Sequence, residues 1–165
     1  MTAFEPAVQA LADALRARGW RMATAESCTG GLIAAACTQV AGSSDWFERG
    51  FVTYSNQAKS DLLGVPPALI ARHGAVSEEV ACAMATGAMT RAPVALAVAV
   101  TGIAGPGGAV PGKPVGTVWL SWATRTGTEA ERLQLAGDRD AVRAQTVALA
   151  LARLLQAARS PRSGG

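Results

Sequence analysis

Apolar side chains recur along this chain with two different periods. Val8, Leu11 and Leu15 fall at helical spacing, and Gly19 supplies a stop. Trp20 to Ala25 predicts a first strand, and the Ala-rich run Leu32 to Val40 a small helix. Phe51 to Tyr54 predicts a short strand. Asn56 is placed to cap a helix through Lys59 to Leu63 that Gly64 ends, and Pro66-Pro67 opens a further turn closing at His73-Gly74. Ser77 predicts an N-cap for a helix over Glu78 to Thr90, with Glu78 and Glu79 at its positive end. Val94 to Val100 is an unbroken apolar run, the mark of a strand covered on both faces. A long Gly- and Pro-rich loop follows from Thr101 to Lys113. Val115 to Ala123 and Glu129 to Leu135 predict an antiparallel pair joined around Gly127, and Asp138 caps a last helix whose buried stripe is Val147, Leu151, Leu154 and Leu155.

Alternating helices and strands followed by a hairpin predict a single three-layer α/β domain, with a mixed sheet flanked by helices. It spans residues 1–159, and Ser160 to Gly165 form a flexible tail. No repeat or interdomain linker interrupts it.

Composition narrows the partners. Half of the residues are hydrophobic, enough for a core that folds unaided. With only four Trp, three Phe and one Tyr, its elements must pack through small side chains. The net charge of +3 is mild, and the arginines are scattered without aromatic interleaving, which argues against nucleic acid. Cys28, Cys37 and Cys82 make an odd count without metal-ligand spacing, so no disulfide and no metal are expected. No signal peptide is visible and no window is long and apolar enough to span a membrane, so cytoplasmic localisation is expected.

Three loops of small polar residues carry the candidate chemistry: Ala25-Glu26-Ser27-Cys28-Thr29-Gly30-Gly31, Gly42-Ser43-Ser44, and Thr101 to Gly108. A strand, a glycine turn and a helix point free N–H groups at an anion, which suits a phosphate at Thr29, Gly30 and Gly31. Gly102 and Gly105, with Gly107 and Gly108, also let a ligand approach the backbone, although ordinary turn chemistry needs glycine too. Arg139 and Arg143, four apart on one helical face, suit a phosphate or carboxylate clamp, or equally a solvated face paired with Asp138 and Asp140.

The single histidine, His73, is better explained as a helix-end residue than as a general base. Lysine is the next choice. Only Lys59 and Lys113 occur against thirteen arginines, which points to a lysine kept because it can lose its proton. Such a base needs its pKa lowered from about 10.4 toward 7–8. Among Ser27, Ser43, Ser44, Ser55, Thr29 and Thr101, spacing alone does not choose a nucleophile. Cys28 paired with His73 would give a cysteine hydrolase instead, but Cys28 lacks a visible thiolate-stabilising neighbour.

In this order, Ala25 to Gly31, Gly42 to Lys59, His73-Gly74-Ala75-Val76-Ser77-Glu78, Thr101-Gly102-Ile103-Ala104-Gly105-Pro106, Lys113-Pro114-Val115-Gly116-Thr117-Val118 and Gly137-Asp138-Arg139 resemble the CinA C-terminal domain family, in its stand-alone amidohydrolase form. The resemblance covers roughly Ala7 to Leu155. It implies an α/β fold, a homodimer, no cofactor, and hydrolysis of nicotinamide mononucleotide to nicotinate mononucleotide and ammonia in pyridine nucleotide recycling. It further implies a serine–lysine mechanism with Ser44 as nucleophile and Lys59 as base, and with Tyr54, Ser27 and Thr101 orienting groups or relaying protons. Thr29, Gly30, Gly31, Asn56, Gly102, Gly105, Arg139 and Arg143 are the candidate substrate-binding residues. The alternative function is a non-catalytic nucleotide-binding regulatory module.

Overall fold

The computed structural model describes residues 3–161. Its elements run α1 (Glu5–Arg18), β1 (Met22–Glu26), α2 (Leu32–Thr38), a short 3-10 turn (Ser43–Asp45), β2 (Phe47–Val52), α3 (Asn56–Leu63), α4 (Pro67–His73), α5 (Glu78–Arg91), β3 (Leu96–Gly102), β4 (Thr117–Thr124), β5 (Gly127–Gln134) and α6 (Arg139–Arg159). The sheet order is β2-β1-β3-β4-β5. β2, β1 and β3 are parallel, and β4 and β5 run antiparallel to their neighbours, so the sheet is mixed as expected.

Helices cover both faces. One core gathers α1, α2 and α6 over the sheet, with Leu11, Leu15, Ile33, Val98, Leu120, Leu151 and Leu154 buried together. The other packs α3, α4 and α5 on the opposite face through Leu63, Ile70, Val80, Met84 and the alanines Ala25, Ala97 and Ala99. β3 is buried along Leu96–Thr101, which is why it reads as one apolar run. The alanine faces bring α5 close to the sheet. Gly87 allows α3 and α5 to touch, because a Cβ there would sit 2.1 Å from the Leu63 carbonyl oxygen.

Ser77 caps α5 and Asp138 caps α6, each accepting the N–H three residues on, and Gly19 ends α1 in the left-handed region. Other boundaries move. Ser55, not Asn56, caps α3, accepting the Ala58 N–H at 3.0 Å. β2 begins at Phe47 rather than Phe51; its Phe-Glu-Arg-Gly-Phe-Val sequence is polar because it is an edge strand. Thr101 and Gly102 extend β3 rather than opening the loop. Leu155 is only half-buried. Of the expected tail, the Ser160 carbonyl accepts an Arg18 N–H at 2.6 Å, and 162–165 lie outside the described residues.

The register decides where chemistry is possible. Glu26 of β1 lies opposite both Val52 of β2 and Val100 of β3, so three parallel strands end in one row. The residues just past that row are Ser27, Thr53-Tyr54 and Thr101. A crevice beyond the carboxyl ends of parallel strands is the usual ligand position in such sheets.

Candidate active site

Lys59 is the centre of this crevice. It stands in the first turn of α3 and is 1 % exposed. Its Nζ lies 3.0 Å from Ser27 Oγ, 3.0 Å from the Thr53 carbonyl and 3.1 Å from the Tyr54 carbonyl. No carboxylate is among these partners. Burial lowers the pKa of Lys59 from its ordinary value, with the nearby Cys28 sulfur acting the other way. Nζ is placed to donate to all three oxygens, and an amine that has lost its proton can keep the two carbonyl bonds and turn its lone pair to the Ser27 hydroxyl.

Ser27 follows β1 directly and is nearly buried. Its N–H donates to the Val100 carbonyl at 3.1 Å, and its carbonyl accepts from Gly30 at 3.0 Å. The cleft beside it holds about 250 Å³. Ser27, Cys28, Tyr54, Asn56, Lys59, Ala75, Val76, Thr101, Gly102, Ile103, Ala104, Gly105, Gly107, Gly108 and Arg139 line it. Thr101 donates its hydroxyl to the Ala75 carbonyl at 2.9 Å, which leaves its oxygen lone pairs for an incoming donor. Arg139 reaches over the mouth, donating to the Gly105 carbonyl at 2.8 Å and to Tyr54 Oη at 3.3 Å. Gly102 and Gly105 have packing reasons of their own. A Cβ would come within 2.6 Å of Val118 at Gly102, and within 2.5 Å of Val115 at Gly105.

The structure thus gathers Ser27, Lys59, Tyr54, Asn56, Thr101, Gly102, Gly105 and Arg139, and it separates the others. Ser44 is exposed on the 3-10 turn before β2, where its carbonyl accepts from Arg21 at 3.3 Å. Because β2 runs parallel to β1, Ser44 sits at the opposite end of the sheet from Ser27. The six residues of β2 between Ser44 and Lys59 span roughly 20 Å at about 3.3 Å each. Within one chain, Lys59 does not reach Ser44.

The expected anion loop is also already filled. Glu26, fully buried, accepts the Ile33 N–H at 2.9 Å, the Ala34 N–H at 3.1 Å and the Thr29 hydroxyl at 2.5 Å. Thr29 and the first N–H groups of α2 therefore hold the chain's own carboxyl group, the Gly30 N–H donates to the Ser27 carbonyl, and none of Thr29, Gly30 and Gly31 lines the cleft. Arg143 is likewise occupied, donating to the Cys28 carbonyl at 3.1 Å and the Thr29 carbonyl at 3.3 Å. Cys28 is buried, and that burial pushes its thiol up to about 11. His73 faces Glu79 at 3.6 Å, and the cleft it lines is a different one, so the Cys28–His73 pair is not assembled. Glu26 is the residue that sequence reasoning passed over. Its signal was an acidic side chain ending an otherwise uncharged strand, Met22–Glu26. Among the described residues, no group of three His, Cys, Asp or Glu is placed to hold a metal ion.

A family model described as the CinA C-terminal domain matches residues 5–158. The chain belongs to the CinA C-terminal domain family. It is 54 % identical over 145 residues to an Escherichia coli K12 protein named nicotinamide-nucleotide amidohydrolase PncC, covering 87 % of this chain and 88 % of that one. A Pseudomonas putida protein of the same name is 55 % identical over 146 residues, with 88 % and 91 % covered. Among solved structures, the competence/damage inducible protein CihA of Agrobacterium tumefaciens superposes with a TM-score of 0.91 at 44 % identity, covering 94 % of this chain and 96 % of that one. The α/β fold is that of this family.

Proposed function

We propose that this protein hydrolyses the carboxamide of nicotinamide mononucleotide to nicotinate mononucleotide and ammonia, as part of pyridine nucleotide recycling, with Ser27 as nucleophile and Lys59 as base. The observation that carries the reading is the 3.0 Å contact between Ser27 Oγ and a buried lysine amine with no carboxylate partner among the described residues. The names of the relatives supply the substrate class.

Ser27 Oγ attacks the amide carbon while Lys59 Nζ takes its proton. The C–N bond then breaks and the same proton leaves with ammonia. The developing oxyanion is held by backbone N–H groups of the loops after Ser27 and Gly102; one such donor is worth about 3 kcal/mol. Water, deprotonated by Lys59, cleaves the acyl ester and restores Ser27. Arg139 binds the phosphate at the mouth of the cleft, and Tyr54 and Asn56 flank the nucleotide. Thr101 accepts an N–H of the carboxamide. Ser44 takes no step.

The homodimer belongs to this proposal as well. Leu32, Val52 and Tyr54 are exposed on and beside the free edge of β2 and offer a second copy an apolar strip. A cytoplasmic setting suits the three free cysteines. No helix of the described residues is long and apolar enough to cross a membrane.

Purified protein is given nicotinamide mononucleotide and the released ammonia is measured. Stoichiometric formation of ammonia and nicotinate mononucleotide supports the reading. Saturable binding without ammonia refutes it and favours a nucleotide-binding regulatory module.

A further inference from the structure

The loop that carries Ser27 is gripped from two sides by groups that the hydrolysis does not consume. Glu26 is fully buried, and its partners are one hydroxyl and two N–H groups rather than a cation. A carboxyl group so deeply buried is costly and persists where its oxygens are satisfied. Arg143 reaches from α6 to the carbonyls of Cys28 and Thr29. Thr29 is thus held twice, by its hydroxyl and by its carbonyl. Neither Glu26 nor Arg143 lines the cleft.

The nucleophile needs such support. Apart from Lys59, the Ser27 hydroxyl meets only the Tyr54 carbonyl among the described residues, at a long 3.4 Å. Downstream the chain turns through Gly30 and Gly31, both at positive φ, where the backbone is most permissive. Backbone bonds to Val100 and Gly30 hold Ser27 itself and one from Leu32 reaches Thr29, and Glu26 and Arg143 add the side-chain contacts that tie this turn to α2 and α6.

We propose that Glu26 and Arg143 are positioning residues, clamping residues 27–29 between α2 and α6 so that Ser27 Oγ stays within hydrogen-bonding reach of Lys59. The inference rests on the Ser27–Lys59 reading above. A displacement of about 1 Å at a reacting atom costs on the order of 100-fold in rate, so a small slackening of this loop is visible in kcat. Because neither side chain touches the substrate, KM is unaffected.

The test compares wild type with Glu26→Gln, Arg143→Gln, Arg143→Lys and Ser27→Ala in two readouts. One is kcat and KM for nicotinamide mononucleotide. The other is the rate at which phenylmethanesulfonyl fluoride labels Ser27, located by peptide mass spectrometry. In that labelling an O–S bond forms, the S–F bond breaks, fluoride leaves and the hydroxyl proton passes to Lys59. In Glu26→Gln and Arg143→Gln, kcat and the labelling rate fall together about 10- to 100-fold. KM stays within about three-fold of wild type in both. Arg143→Lys, which keeps a donor, recovers part of the loss. Three results overturn the clamp: wild-type rates in both Gln variants, a rise in KM at constant kcat, or a lower melting temperature with normal kcat per folded molecule. If Ser27 is not labelled in wild type and Ser27→Ala still turns over, the nucleophile assignment fails and the clamp falls with it.

Discussion

Replacing Lys59 with Met tests the base and its burial together. Met fills much of the same slot but carries no amine. Losing a general base costs about 10²- to 10⁴-fold in kcat, and more where nucleophile and base act as a unit. The stability change is worked from the same contacts. The Thr53 carbonyl loses its Nζ donor, at about 1–3 kcal/mol if left unpaired, while the Tyr54 carbonyl keeps the Ser27 hydroxyl within reach. Against this, wild type carries the cost of burying an amine whose pKa lies below its ordinary 10.5. Between the lowered value and 10.5 the unfolded chain binds more protons at this site than the folded one. Wild-type stability relative to Lys59→Met therefore rises with pH through that window, by up to about 1.4 kcal/mol per pH unit. It is complete above 10.5, and it levels off below the lowered value. Cys28 and Lys59 act on one another, so the Cys28 titration differs between the two proteins, but burial pushes that thiol up to about 11, above the range assayed. The assay is urea denaturation of both proteins from pH 6 to 10, with kcat/KM for ammonia release over the same range. Activity rises with pH to a plateau as the amine loses its proton. A flat or falling profile, or a stability difference independent of pH, would refute the buried-amine argument.

Arg139→Gln removes the cation at the mouth of the cleft; KM for nicotinamide mononucleotide rises about ten-fold or more, while kcat changes little. Steady-state kinetics checks this, and an unchanged KM puts the phosphate elsewhere. Gly87→Ala lowers the melting temperature although alanine is the better helix former, because the added Cβ meets the Leu63 carbonyl oxygen at 2.1 Å. Calorimetry showing a more stable variant contradicts that close approach. With iodoacetamide at neutral pH, Cys82 reacts before Cys28 and Cys37, whose thiols burial pushes up to about 11 and about 12. Mass spectrometry of the labelled peptides decides the order.

Much of the fold was legible because its strongest signals are local. The unbroken Val94–Val100 run, the caps Ser77 and Asp138 and the hairpin around Gly127 each follow from a few neighbouring residues. Lys59 stood out through the scarcity of lysine in an arginine-rich chain. Strand direction is not legible in the sequence. An edge strand bearing Glu48, Arg49 and Gly50 lacks the apolar signature of a buried one, so the start of β2 was placed at Phe51. Once β2 runs from Phe47 parallel to β1, a serine just before it and a serine just after β1 must lie at opposite ends of the sheet. For that reason it is Ser27, not Ser44, that meets Lys59 within one chain. The phosphate loop failed differently. The sequence showed a turn with free N–H groups, but the side chain that fills it, Glu26, comes from the preceding strand, and only the tertiary structure brings it round.

The pairing of Ser27 with Lys59 is tested most directly by measuring ammonia release from nicotinamide mononucleotide by Ser27→Ala and Ser44→Ala side by side. Ser27→Ala is predicted to lose at least about 10³-fold in kcat, and Ser44→Ala to stay near wild type. Full turnover by Ser27→Ala, or its loss in a folded Ser44→Ala, would contradict the account.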